Sequence, residues 1–282
     1  MLSNFQDLIA KHNLKIDGVL HIGAHEGAEM LDYAKANIRY AILVEANPIR
    51  FKNLQKSIEG KRYPTWCSPL TYAPLPDDIK DNTKFYAYNY AVSDVDHVRV
   101  NLNVSDHDGG MDSLLQINDH GSKTAWVPYK HVDTVETYTI MIDSLMYLHG
   151  TRFIHVTKAN KLIRPNFLNM DIEGAELIAL RGAHHTLKHT DYILVETQDT
   201  PRFEGSCTKS ELSSFLLQYG FKEADYFPSP YDWGDTLYIK EKRRPVLYDE
   251  ELEDIHNWTN TDPEIIKQVF EIGKCDDTNS SS

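Results

Sequence analysis

Cysteine is scarce in this sequence. Cys67, Cys207 and Cys275 lie far apart and form no C-x-x-C pair. That excludes the ligand spacing of a structural zinc site and a dense disulfide framework, and it fits a reducing, cytoplasmic compartment. Long apolar runs are missing too. No stretch approaches the roughly 20 residues of a membrane-spanning helix, and the opening MLSNFQDLIAKHNLK has no unbroken apolar core of the secretory-leader kind. Positive charge is in deficit: 29 Lys and Arg stand against 42 Asp and Glu, a formal net charge of −13. Nucleic-acid affinity rests largely on Lys and Arg neutralising phosphates, so nucleic acid is not an expected partner. The one basic cluster, Lys240, Lys242, Arg243 and Arg244, reads as a solvated segment end.

What is present fits one globular α/β domain. Hydrophobic residues make up 41% and charged residues 25% of 282, enough to bury a sizeable core. The domain is expected over residues 1–240, with insertions near 61–82 and 98–140. A C-terminal extension follows over 241–282, with an amphipathic helix at 263–272 and a polar end, DDTNSSS, that has no core-forming content.

The richest stretch is GVLHIGAHEGAEMLDYAKANIRYAILVEAN, residues 18–47. An apolar run breaks into the turn Gly23-Ala24-His25-Glu26-Gly27, a helical stretch follows, and a second apolar run stops on Glu45. This is a strand, glycine turn, helix and strand with an acid about 20 residues after the turn. In doubly wound folds that layout builds a nucleoside pocket: glycine lets the backbone approach the ligand, and the carboxylate accepts from ribose hydroxyls. A tight βα connection of no function has the same glycines, but a charged residue directly after Ile-Leu-Val is not core material. The spacing is G-x-x-x-G, not the G-x-G-x-x-G that a dinucleotide pyrophosphate needs. This leans away from NAD and towards S-adenosylmethionine (SAM).

Further along, a short amphipathic helix over 3–14 is expected to cover one edge of the fold. Pro48 opens a helix running through Ile58 with Asn47 as N-cap. Pro64, Pro69, Pro74 and Pro76 forbid a regular helix or central strand, so 61–82 reads as a long irregular connection. Strands are predicted over 85–92, 98–104, 138–142, 167–170, 192–195, 221–227 and 236–239. Helices are predicted over 175–187 and 210–219, the second capped by Ser210 or Thr208. His184, His185 and His189 read as partners of the first helix's C-terminal dipole. Such alternation implies a mostly parallel, doubly wound sheet with an antiparallel closing pair at one edge. Ligands then bind beyond the carboxyl ends of the strands, which carry His21, Glu45, Asp94, Asp171 and Glu196.

A second constellation is LNMDIEGAELIALRGA, residues 168–183. Glu173 and Glu176 suit a helix N-terminus, whereas Asp171 sits where the crevice should be. The run NMDIEGAELIALRGA resembles the D-x-E-G-A-E-x-x-x-L-x-G-A signature of FkbM-type SAM-dependent methyltransferases. HIGAHEG, VEANP, AVSD at 91–94, MDSLL at 111–115, IDSL at 142–145 and ILVET at 193–197 are similar to that family's other motifs. The resemblance spans about residues 17–240. One departure is His21, where family members usually carry an acid.

The resemblance implies a seven-stranded class I, Rossmann-like methyltransferase fold. It also implies methyl transfer from SAM to a hydroxyl, foremost of a sugar or glycan. On that basis His21, Gly23, Ala24, Glu26 and Gly27 are expected at the amino-acid end of SAM, Glu45 and Ala46 at the ribose, and Ser93 and Asp94 at the adenine edge. Ser113, with Met111 and Asp112, closes over cofactor or acceptor. Asp171 is the expected catalytic base, with Glu173 second. A Mg²⁺ site on Asp171 and Glu173 is not favoured, because the helix dipole already accounts for acids there. The segments 61–82 and 105–137, the latter with Trp126, Tyr129 and His131, are expected to shape the pocket for a small-molecule or glycan acceptor. Two other readings stay open: an NAD-dependent oxidoreductase, and a non-catalytic subunit that keeps the fold.

Overall fold

The computed structural model describes residues 5–60, 62–65, 68–74, 82–106, 109–124, 128–157 and 164–241. Residues Met1–Glu241 form one compact unit. The expectations for the extension beyond it, and for Trp126, fall outside the described residues.

The chain runs α1 (Phe5–His12), β1 (Val19–Ile22), α2 (Met30–Lys35), β2 (Tyr40–Glu45), α3 (Pro48–Gly60), β3 (Arg62–Thr65), β4 (Ser68–Pro74), β5 (Lys84–Asn89), β6 (Ala91–Val92), β7 (Arg99–Ser105), β8 (His131–Ile140), α4 (Ile142–Thr157), β9 (Phe167–Met170), α5 (Glu176–Arg181), α6 (His184–His189), β10 (Tyr192–Gln198), α7 (Lys209–Leu217), β11 (Phe221–Pro228) and β12 (Trp233–Lys240). Seven strands form the main sheet in the order β11-β12-β10-β9-β1-β2-β5. β5, β2, β1, β9 and β10 are parallel. β12 runs antiparallel between β10 and β11. The antiparallel closing pair is at the expected edge, with the last strand one place in from it and β11 outermost.

β1 and β2 are buried along their whole length, as near-continuous apolar runs in a parallel sheet must be. Side chains alternate between faces with period two. Val19, Ala41, Leu43, Phe167 and Leu194 join Met30, Ala34 and Leu54 in one core cluster. Leu20, Ile22, Ile42, Val44 and Ile193 are buried as fully, so neither face of the sheet centre meets water. α1 reaches the β11 edge of the sheet, as expected, but extends to its centre as well. Its Phe5 ring meets Tyr33 and Phe167 edge-on at 5.1 and 5.3 Å, and Lys11 and His12 reach Asp225 of β11. The helix therefore lies across the sheet from its centre to its outer strand.

Three other expectations are corrected. Within the segment 61–82, expected to be irregular, residues 62–65 and 68–74 pair as antiparallel strands, β3 and β4, apart from the main sheet. The single strand expected over 85–92 is divided: β5 belongs to the main sheet, while β6 pairs with β8 in a three-stranded sheet with β7. The helix expected over 175–187 breaks into α5 and α6 around Gly182, which passes the carbonyl of Ser93 so closely that a Cβ would stand 2.5 Å from it. His184 and His185 therefore open α6, and of the three histidines only His189 stands in its last turn.

Candidate active site

Four strand ends, those of β1, β2, β9 and β10, converge on one side of the sheet. Gly23 follows β1 with φ +86°, and a Cβ there would lie 1.8 Å from the carbonyl oxygen of Asp171. Only glycine meets both conditions. The turn is pinned to β2 by Gly23 N–H and Ala24 N–H, which both donate to Val44 O at 2.9 and 3.0 Å. Gly27, at φ +90°, packs against Met30 and Leu54, so its glycine serves close packing.

Glu45 is turned inward, 7% exposed. Its Oε2 accepts from His25 N–H at 2.8 Å and its Oε1 from Asn47 N–H at 2.7 Å. The carboxylate thus ties together the turns that follow β1 and β2. Each oxygen retains capacity for a second donor. Burial pushes the Glu45 carboxyl up to about 7 despite these two donors. Asn89, at the end of β5, donates to Glu45 O and Ala46 O at 2.7 and 3.1 Å and fixes the same loop from the other side.

Glu26 is placed otherwise than expected. It is 4% exposed, and its Oε1 accepts from Arg50 Nη1 at 3.0 Å and Asn53 Nδ2 at 2.9 Å. That carboxylate fastens the glycine turn to α3. His21 is buried and neutral, its pKa lowered to about 3 by burial. Asn169 Nδ2 donates to Tyr33 Oη at 2.8 Å, which leaves the phenol's own hydrogen for His21 Nδ1 at 3.1 Å. A neutral ring accepting at Nδ1 carries its hydrogen on Nε2. An acid stands nearby: Glu29 Oε2 lies 4.0 Å from His21 Nδ1, and burial, against its own backbone hydrogen bond, pushes its carboxyl up to about 8, Asp171 adding to the shift.

At the β9 end, Glu173 and Gly174 adopt successive left-handed conformations, φ +54° and +94°. Glu176 reaches back from the first turn of α5, its Oε1 accepting from Ile172 N–H and Gly174 N–H, both at 3.1 Å. Asp171 is exposed to the crevice. Desolvation first, and the charge of Asp235 second, push its carboxyl up to about 6 against the pull of Arg202. The Glu173 side chain is buried. Burial, then Asp171, hold it well above the usual carboxylate range. Glu196 of β10 is shifted the same way by burial, then by Glu173 and Asp171. Arg202, 1% exposed, lies 3.7 Å from Glu196 and over the Trp233 ring at 5.0 Å.

The MDSLL loop joins the two halves of the site. Asn47 Nδ2 donates to Asp112 Oδ2 at 2.7 Å, Ser113 Oγ donates to Glu173 O at 2.7 Å, and Arg202 Nη2 lies 3.4 Å from Met111 Sδ. Ser93 and Asp94 are not drawn into this network. Ser93 N–H donates to Ile140 O of β8, and Asp94 is exposed. Arg202, Asn89 and Glu29 were missed by the reading of the sequence, since none sits in a motif; Glu196 showed there only as a strand end. A hollow of about 350 Å³ between α5 and α7, lined by Leu177, Arg181, Ser210 and Phe215 among others, contains none of these residues. No helix among the described residues is long and apolar enough to cross a membrane.

Among solved structures the chain is similar to a methyltransferase FkbM from Methylobacillus flagellatus, at TM-score 0.46 and 16% identity over 79% of this chain and 43% of that one. This chain thus spans less than half of that structure's length. It is also similar to a magnesium protoporphyrin IX methyltransferase from Synechocystis solved with bound SAM, at TM-score 0.41 and 9% identity over 84% and 76%. A third likeness is to TrmK of M. capricolum in complex with S-adenosylhomocysteine, at 0.40 and 10% over 90% and 75%. No curated protein matches the chain. The methyltransferase FkbM domain matches residues 21–223, well over half of the sequence; the chain belongs to the FkbM methyltransferase family.

Proposed function

We propose that this SAM-dependent methyltransferase transfers the methyl group to a hydroxyl of a sugar or glycan. The observation that carries the reading is the meeting of two motifs at one point. The Gly23 turn touches the backbone carbonyl of Asp171, and the charge of the exposed Asp171 carboxyl acts on Glu29 just past that turn, so both motifs face the place that would hold the methionyl end of SAM. In this reading Gly23, Ala24 and Gly27 shape the backbone against that end, with His21 and Glu29 behind it. Glu45 uses the remaining lone pairs of its two oxygens for the ribose hydroxyls, and Ala46 lies next to it. Ser93 and Asp94 serve the adenine edge. Glu26 acts as a support for the turn and Ser113 as the anchor of the loop over the site.

The chemistry is an in-line displacement, mainly a positioning task. Bound SAM would supply an electrophilic methyl group whose departure leaves a neutral thioether, and Asp171 would take the proton of the acceptor hydroxyl as its oxygen bonds to that carbon. Glu173, buried beneath, holds the second carboxyl of the site. Support for a sugar comes from the aromatic groups on the acceptor side. Burial first, and the nearby Glu173 second, raise the phenol pKa of Tyr129. His131 stacks on Phe203 at 6.5 Å, and Trp233 underlies Arg202. Flat aromatic faces beside charged acceptors suit a ring that is apolar on its faces and hydroxylated at its rim.

The test has two parts. Titration calorimetry with SAM and with NAD should give binding to SAM alone; NAD binding without SAM binding overturns the reading. Transfer from labelled SAM to a panel of sugars and glycans should label an acceptor, and Asp171→Asn should slow it about 100-fold or more, the scale of a lost general base. Equal rates would remove Asp171 from that role. SAM binding with no transfer to any acceptor would favour a non-catalytic subunit.

A further inference from the structure

Three acids meet at the ends of β9 and β10. One oxygen each from Asp171, Glu173 and Glu196 lies within 4.8 Å of the others. Glu176 and Asp235 add to the same field, and the Arg202 guanidinium opposes it at each of the three. Arg202 does not resolve this. It stands 3.7 Å from Glu196, beyond a good charged hydrogen bond, and its own Nε has no partner. Glu173 Oε2 is buried and also without one. A buried, unpartnered carboxylate oxygen is costly to keep, and this one belongs to the trio.

We infer that Asp171, Glu173 and Glu196 form a binding site for a hard divalent cation, open to the crevice through Asp171. The donor set is all carboxylate oxygen, which selects Mg²⁺, Ca²⁺ or Mn²⁺ over softer ions. Two oxygens on one ion can be no farther apart than twice the metal–oxygen distance, about 4.6–5.2 Å for Ca²⁺ and about 4.2 Å for Mg²⁺. Oxygens no more than 4.8 Å apart lie within that bound for Ca²⁺, and drawing the three side chains onto one ion brings the smaller Mg²⁺ within reach. Three ligands from two strand ends leave coordination positions facing the crevice for water or an acceptor oxygen. An ion there would lower the pKa of a bound hydroxyl, while the second oxygen of Asp171 stays available for the proton. The inference rests on the crevice being the methyl-transfer site, and the experiment separates the two.

The whole chain, stripped with a chelator, is titrated with Mn²⁺ and followed by loss of the free-ion electron paramagnetic resonance signal, with SAM binding measured in parallel. One Mn²⁺ per chain is expected, displaced by Ca²⁺ and Mg²⁺. Glu173→Gln and Glu196→Gln should each weaken it at least tenfold, Glu196→Asp should restore most of it, and Asp225→Asn on the outer strand should leave it unchanged. Circular dichroism confirms that each variant is folded. SAM binding with no Mn²⁺ binding overturns the metal site and leaves the cofactor reading intact. Mn²⁺ binding without SAM binding does the reverse, and binding of neither overturns both. Mn²⁺ bound equally by wild type and both Gln variants places the ion elsewhere and overturns the assignment.

Discussion

At the scale of single residues, Gly23 and Glu45 carry most of the geometry. Gly23→Ala meets both a left-handed backbone and a carbonyl 1.8 Å from the new carbon. Strain alone is worth about 1–3 kcal/mol, so a lower melting temperature and at least tenfold weaker SAM binding are expected, read by thermal denaturation and calorimetry. Glu45→Gln removes an acceptor from one of two backbone N–H groups and sets an amide donor against it. The expected loss is about 1–3 kcal/mol, seen as a lower urea midpoint. The existence of an acid at the end of β2 was legible in the sequence, because a charge after Ile-Leu-Val has to face a crevice. Its hold on His25 and Asn47 was not, since that depends on how two turns meet across β1 and β2. Glu26 shows the opposite failure. Its place in the glycine turn suggested a ligand contact, but Arg50 and Asn53 approach from α3, a direction that local spacing does not encode.

Among the elements, period and punctuation gave β1, β2, β9, β10 and α7 nearly as they are. Long-range contacts decided the rest. α4 was missed because the run TIMIDSLMYL fits a strand as well as a helix. The boundary is set by Asp96, which accepts from Met141 N–H at 2.7 Å and from Ser144 Oγ at 2.6 Å. The break between α5 and α6 is likewise held from outside. Asp143, in the first turn of α4, accepts from His185 N–H at 2.8 Å and from Thr186 N–H and Oγ1 at 2.7 Å. It acts as an N-cap supplied by another helix. Asp143→Ala should therefore cost about 0.5–2 kcal/mol, the usual worth of a cap, with the SAM dissociation constant unchanged; urea unfolding and calorimetry on one preparation check both. For α7 the choice between two caps is settled: Thr208 makes the capping box with Glu211, and Ser210 is already inside the helix.

The whole molecule keeps several ionisable groups in protonation states they would not hold in water, and its stability must follow pH accordingly. Glu45 has its pKa raised to about 7 from 4.5, with Asp112 adding to the shift and Arg50 opposing it. Glu29 is raised to about 8. A group raised on folding stabilises fully below its unfolded pKa, and that contribution is lost as pH climbs through the folded one. His21 works in reverse. It is lowered from 6.5 to about 3, so its share is present above 6.5 and disappears as pH falls. Urea midpoints of the SAM-free chain are expected to peak near about pH 4.5, where the gain from His21 gives way to the losses at Glu45 and Glu29, and to decline towards about pH 8. Glu29→Gln should flatten the alkaline limb, and a limb of unchanged slope would contradict this account.

The position of β12 has a consequence for synthesis. β11 has one neighbour in the sheet, and that neighbour is the last strand among the described residues. While residues 221–228 emerge from the ribosome they have nothing to pair with, and β10 is left with one ladder unfilled. Only when Trp233–Lys240 has cleared the exit tunnel can it slide between them and close both at once. Nascent chains stalled before Trp233 should be cut by protease within 221–228, and chains released after Lys240 should resist.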